Sequence, residues 1–254
     1  MAIKNEIILE DDIKVEENAT LFFCLPSVGL LGPIIGNTLI DQISDLKQIG
    51  FIKSDNIPPM TVFYDGILKH PFRLYYSQKY NIALALCEVP LESTSAYDGL
   101  SNVICQWGTA EDVKIKEIVT FQGILNRGII KEHEIFYAAG EEKPKFLEKS
   151  NIKKLERGII SGPEATVLNR ALMSKIKAYA IITDVSQYPT PEGAAKIIEK
   201  LNEIYDLNID TEKLIEQGKN IKNKMLELAE KAQQYQQKQT HESREGNIYS
   251  QLYQ

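Results

Sequence analysis

The feature that most restricts the fold of this chain is a set of short segments whose successive residues are all apolar, alternating along the sequence with helix-patterned stretches. Strand-like runs rich in β-branched and aromatic residues recur at 20–25, 60–64, 81–89, 115–122, 134–138 and 178–183. Several are apolar at consecutive positions, not at every other one. A strand of that kind is covered on both faces, as in a largely parallel sheet held between helices. Helical patterns fall between the runs at about 30–44, 94–112, 163–175 and 191–205. This βαβα alternation predicts a three-layer α/β/α sandwich around a mainly parallel sheet.

Helix-start signals fix the register of the last two helices. Ser161-Gly162-Pro163-Glu164 offers Ser161 as N-cap, Pro163 in the first turn and Glu164 reaching back as a capping box, and Thr190-Pro191-Glu192 repeats the device. Ser93 or Thr94 is the natural N-cap of the helix before Leu100, Val103, Ile104 and Trp107. From Asp210 the character changes: Leu214, Gly218, Ile221, Met225, Leu228, Ala232 and Tyr235 are spaced alternately by four and three, the seam of a long amphipathic helix. Leu214, Ile221, Met225 and Leu228 are the large apolar positions of that seam. They cover either the same chain's core or another subunit. The expected organisation is an α/β/α domain over 1–208, the amphipathic helix over 209–239 and a polar arm over 240–254.

Composition excludes several classes of function. The chain has 254 residues, is 43% hydrophobic and carries a net charge of −6 with both signs interspersed. No basic face is available to release counterions from a nucleic-acid backbone. No apolar run approaches the ~20 residues that span a bilayer, and the first residues lack the layout of a signal peptide, so a soluble, cytoplasmic protein is expected. Cys24, Cys87 and Cys105 lie in apolar segments without C-x-x-C spacing and read as buried small residues. His70, His133 and His241 have no metal-ligand spacing, so neither a metal nor a cofactor is expected.

Candidate chemistry is sparse. The turn from Pro26 to Gly36 follows the first apolar run, but Gly29, Gly32 and Gly36 match neither G-x-G-x-x-G nor a Walker loop. Gly29 is read as making the turn, and Gly32 with Gly36 as letting the helix lie close on the sheet. Glu88 and Glu92 end a strand with hydroxyls nearby, and Asp184 and Asp65 sit at loops, without a triad or paired-carboxylate signature. The tip is more distinctive. Leu252-Tyr253-Gln254, after a polar arm, offers an apolar anchor, a ring with a hydroxyl and a carboxylate to a partner that supplies a slot, an acceptor and a lysine.

Taken in order, Leu25-Pro26-Ser27-Val28-Gly29-Leu30-Leu31-Gly32, Gly50-Phe51-Ile52-Lys53-Ser54-Asp55-Asn56-Ile57-Pro58-Pro59, Tyr64-Asp65-Gly66, Pro71-Phe72-Arg73-Leu74-Tyr75 and Cys87-Glu88-Val89-Pro90-Leu91 resemble the archaeal branch of the proteasome assembly chaperone 2 family. The resemblance spans roughly 18–205. It implies an α/β/α domain similar to nucleoside phosphorylases, used as a non-enzymatic, homo-oligomeric chaperone scaffold. It also implies that Leu252, Tyr253 and Gln254 enter pockets between α subunits of the proteasome core particle. Two other readings stay open, the first resting on the likeness of fold that the resemblance implies. One is a phosphorylase- or hydrolase-like enzyme acting on a nucleoside or small ligand, with a pocket formed by the 26–32 turn, Glu88 and Asp184. The other is a structural subunit whose long helix binds another protein.

Overall fold

Because successive side chains leave a strand on opposite faces, the apolar run Thr20–Cys24 must feed two cores. Leu21 and Phe23 enter one, Phe22 and Cys24 the other, and all four are fully buried. The computed structural model describes residues 5–10, 13–91, 93–128, 130–142, 144–149 and 152–220. In chain order the elements are β1 (Asn5–Leu9), β2 (Thr20–Cys24), a 3-10 turn (Val28–Leu30), α1 (Leu31–Gln42), β3 (Lys47–Ser54), β4 (Val62–Tyr64), β5 (Ile67–Lys69), β6 (Phe72–Ser77), β7 (Ile82–Cys87), α2 (Thr94–Gly108), β8 (Glu117–Leu125), β9 (Ile135–Ala139), α3 (Phe146–Lys149), β10 (Lys153–Lys154), α4 (Pro163–Met173), β11 (Lys177–Val185) and α5 (Pro191–Tyr205). Residues 212–220 are also helical.

The main sheet has the order β1-β3-β6-β7-β2-β8-β11-β9-β10. Its centre, β7-β2-β8-β11, is parallel, whereas β1, β3 and β6 join on one side and β9 on the other by antiparallel pairing. Helices α1 and α5 cover one face, where Leu31, Ile35, Leu39, Ile197, Ile198 and Leu201 meet Phe22, Phe121 and Tyr179. On the other face α2 and α4 bring Leu100, Ile104, Val167 and Ala171 onto Phe23, Leu74 and Ile118. The three-layer expectation therefore holds, with a mixed sheet that is parallel at its centre. All three cysteines are free and buried.

The local expectations fare unevenly. Ser93 caps α2, its Oγ accepting from the Ala96 N–H at 3.1 Å. Ser161 does not cap α4: Gly162, at φ 88°, occupies the N-cap position. Glu164 does not reach back either, because its side chain turns into the interior. Thr190 precedes α5 without a side-chain cap, since its hydroxyl donates to the Tyr188 carbonyl at 3.0 Å and accepts from the Ser186 N–H at 3.2 Å. The 60–64 run is no core strand. Only Val62–Tyr64 pairs, with β5, in a separate two-stranded hairpin that is largely exposed although Val62 packs on the α2–α4 core.

Candidate functional site

Four parallel strands end at one edge of the sheet, the edge where open α/β folds place their ligand sites. The glycine turn after β2 lies there. Gly29 takes φ 77°, and a Cβ on it would stand 2.6 Å from Val185 Cβ. A Cβ on Gly32 would stand 2.5 Å from the Leu25 carbonyl oxygen, and one on Gly36 3.0 Å from Leu86 Cδ1. The turn and the close seat of α1 thus account for the three glycines, as their spacing suggested. The Gly29 carbonyl accepts from the Thr190 N–H at 2.9 Å, which ties the turn to the loop before α5.

Glu88, just past β7, is enclosed by donors. Arg73 of β6, fully buried, makes an ion pair with its Oε2, while Asn37 of α1 donates to Oε1 at 2.9 Å and the Tyr64 hydroxyl donates to the same oxygen. Arg73 also donates through Nε to the Tyr75 hydroxyl at 2.7 Å and through Nη1 to the His70 carbonyl at 2.6 Å. Its guanidinium lies 5.8 Å from the Tyr64 ring centre and 5.9 Å from that of Tyr75, within cation–π range. Burial, aided by the Glu88 carboxylate, pushes the Tyr64 phenol up to about 12. A carboxylate engaged this way serves as a structural clamp that fastens the turn end of the β4–β5 hairpin, through Tyr64, to the sheet edge.

Asp184 is not part of that cluster. It lies on β11, separated from β7 by β2 and β8, so the two strands run roughly 14 Å apart. Its backbone carbonyl faces His133 Nδ1 at 2.9 Å. The pocket sketched from the 26–32 turn, Glu88 and Asp184 therefore does not converge into a paired acid and base.

A titratable group that sequence reasoning assigned to a cap is buried instead. Glu164 of α4 is 1% exposed, and among the described residues neither carboxyl oxygen completes a hydrogen bond of good geometry; the Ser27 hydroxyl of the glycine turn faces it. Burial pushes the Glu164 carboxyl up to about 7 against the opposing pull of Ser27 and of the backbone N–H at the helix start. The capping-box pattern concealed this, since the same residue spacing serves either outcome.

The residues expected to contact partners lie mostly beyond the described chain. Leu252, Tyr253 and Gln254, with Ile221, Met225 and Leu228, fall outside the described residues. Leu214 is buried in the core shared with α1 and α5. Gly218 is buried against the side chain of Glu192, at a distance that leaves no space for a Cβ. The start of the seam thus lies on its own domain. Among the described residues no cluster of His, Cys, Asp or Glu could hold a metal, and no helix is long and apolar enough to cross a membrane.

With this architecture in place, known proteins supply a frame. An uncharacterized protein of Methanocaldococcus jannaschii is 28% identical over 219 residues, covering 85% of this chain and 88% of that one. The crystal structure of Pyrococcus furiosus PbaA, described as an archaeal homolog of proteasome-assembly chaperone, superposes with a TM-score of 0.77 at 25% identity, over 94% of this chain and 97% of PbaA. Pyrococcus furiosus PbaB, described as an archaeal proteasome activator, superposes with a TM-score of 0.74 over 89% of this chain and 98% of PbaB; at 14% identity it shows the common fold alone. The model of the PAC2 family matches residues 21–229, well over half of the sequence, and the chain belongs to that family.

Proposed function

We propose that the protein is a non-enzymatic proteasome assembly chaperone or proteasome-binding regulator that self-associates and inserts Leu252-Tyr253-Gln254 into pockets between α subunits of the core particle. The observation that carries this reading is the likeness to PbaA along nearly the full length of both chains. The tail supplies the chemistry. Leu252 fills an apolar slot, Tyr253 adds a ring and a hydroxyl, and the carboxylate of Gln254 meets a lysine. One such contact is weak. Several tails on one oligomer raise the effective concentration to about millimolar and the avidity by roughly 10² to 10⁴. On this reading Ile221, Met225 and Leu228 continue the seam toward a neighbouring subunit, with Leu214 anchoring its base. The clamped state of Glu88 and its separation from Asp184 are consistent with a scaffold role.

Binding to purified archaeal core particles or α subunits tests the reading, with the intact protein compared with a variant lacking 252–254 and with Tyr253→Ala. The expected result is loss of capture in both variants at unchanged oligomeric state. Equal capture by all three proteins refutes tail docking. A rise in melting temperature with a purine nucleoside or phosphate at millimolar concentration would favour the phosphorylase-like alternative.

A further inference from the structure

The sheet is wider than the helices that cover it. On the α2–α4 face α4 rests on β8 and β11, while β9 continues past it. The strip left open forms a groove of about 690 Å³ along α4, a volume within the usual range of small-molecule sites. Its floor is small and apolar, with Ala138 and Gly140 at the end of β9 beside Ala178 and Ile182 of β11. Its wall is Ala165, Leu168 and Leu172 of α4, spaced by three and four and so stacked along one side of the helix.

The two ends of the groove differ. One is closed where Leu172 lies over Gly140, close enough that a Cβ on the glycine would stand 3.0 Å from Leu172 Cδ2. The other opens at the segment leading into α4, where Arg157 and Ile159 stand on the lip. Ile159 is 96% exposed. Arg157 makes no ion pair among the described residues, whereas the carboxylate of its neighbour Glu156 lies 3.9 Å from Lys154 Nζ and has its charge met there. Gln122, deeper in, is already engaged: its Nε2 donates to the Gly123 carbonyl at 2.9 Å, and its Oε1 is shut away from the groove.

We propose that this groove binds an amphipathic organic anion, a carboxylate on an unbranched apolar chain of about eight carbons, with the chain along α4 and the head at Arg157. The lining dictates the chain, because floor and wall offer it aliphatic contacts and the small residues Ala138, Gly140 and Ala178 leave room for it. The length follows from the helix. From Ala165 to Leu172 α4 rises about 10 Å, the extended length of about eight carbons, and Leu172 on Gly140 ends the path there. The charge follows from the mouth. A guanidinium without an internal partner at the opening of an apolar slot pairs best with a carboxylate, which it can grip through two parallel N–H donors. Asn169, exposed on α4, adds an amide donor on the rim. The site uses neither the tail nor the core particle, so it goes beyond the proposed function and stands or falls apart from it.

Calorimetric titration of the lipid-stripped full chain with hexanoate, octanoate, decanoate and dodecanoate tests it, with octanol as the uncharged probe. One equivalent of octanoate per chain is expected. At about fourfold per buried methylene, affinity should climb about 16-fold from hexanoate to octanoate and level off beyond decanoate, where the chain outgrows the groove. Arg157→Gln, at an exposed position, should weaken octanoate roughly tenfold and leave octanol unchanged. Leu172→Glu, also exposed, should abolish binding of both at an unchanged melting temperature, and Phe63→Glu on the β4–β5 hairpin should alter neither. Absence of saturable octanoate binding at millimolar concentration overturns the proposal, as does affinity that ignores chain length or an equal response of octanoate and octanol to Arg157→Gln. Retained binding in Leu172→Glu, or loss of it in Phe63→Glu, places the ligand elsewhere and overturns it too. Loss of oligomers in Leu172→Glu without octanoate binding to the wild type would make the groove a protein contact instead. Should Leu172→Glu fold poorly, the Arg157→Gln comparison and the chain-length series still decide.

Discussion

Replacing Glu164 by glutamine should stabilise the protein, and only at the alkaline end of the working range. In the native state the carboxyl is 1% exposed, without a well-formed hydrogen bond among the described residues, and burial raises it from 4.5 to about 7. The unfolded chain ionises near the lower value. Between the two, the unfolded state sheds a proton that the native state retains, so stability falls as pH rises through that window and levels off above about 7. At about 1.4 kcal/mol per pH unit, the loss by pH 8 is on the order of 3 kcal/mol. Glu164→Gln keeps the shape and removes the titration. Urea unfolding of both proteins at pH 5, 6, 7 and 8 should give curves that nearly coincide at pH 5 and separate in favour of Glu164→Gln by 2 to 3 kcal/mol at pH 8. A separation that does not change with pH would refute the argument, since the other titrating groups are common to both proteins and cancel in the difference.

The Glu88 clamp predicts a strong coupling: Arg73→Met, which leaves the Glu88 carboxylate facing a neutral buried site, should cost about 3 kcal/mol or more, and adding Glu88→Gln should recover at least about 1 kcal/mol in a urea-unfolding double-mutant cycle. Two glycines should respond differently. Gly32→Ala drives a methyl to within 2.5 Å of the Leu25 backbone and should cost roughly 1 to 3 kcal/mol by urea midpoint, whereas Gly66→Ala meets no atom within 4 Å and should cost about 1 kcal/mol, from its φ of 78° alone. Burial pushes the Cys87 thiol up to about 12 and that of Cys105 up to about 11, with Cys24 also well above its ordinary value. A disulfide-exchange reagent at pH 8 should accordingly titrate all three only after the protein is unfolded in urea; rapid reaction of the folded protein would contradict the buried placement.

What could be read before folding was whatever depends on near neighbours in sequence. Consecutive apolar residues such as Leu21-Phe22-Phe23-Cys24 need cover on both faces wherever they lie, so the layered architecture followed from pattern alone. The same holds for the glycine turn, where spacing along a short segment carries the close approach of α1 to the sheet. Weakly apolar or charged segments gave little signal. Strands β1, β3 and β6 contain Glu6, Lys47, Lys53 and Arg73, and they are strands because the antiparallel flank of the sheet pairs their backbones and Glu88 neutralises Arg73. The 60–64 run misled for the opposite reason: it is apolar, yet its partner is the short β5 and not the main sheet.

Fold class, the buried state of the cysteines and the covered faces of the central strands were all legible in the amino-acid sequence. Only the tertiary structure decided the fate of the polar groups. Glu88 and Asp184 look equivalent as acids at strand ends, but two intervening strands set them apart, and only Glu88 meets Arg73, Asn37 and Tyr64. Glu164 looks like a helix cap, and burial makes it a carboxyl that titrates near neutrality. A polar side chain's energy is set by the dielectric and the partners around it, and those come from residues distant in sequence, whereas hydrophobic periodicity is a property of the local chain.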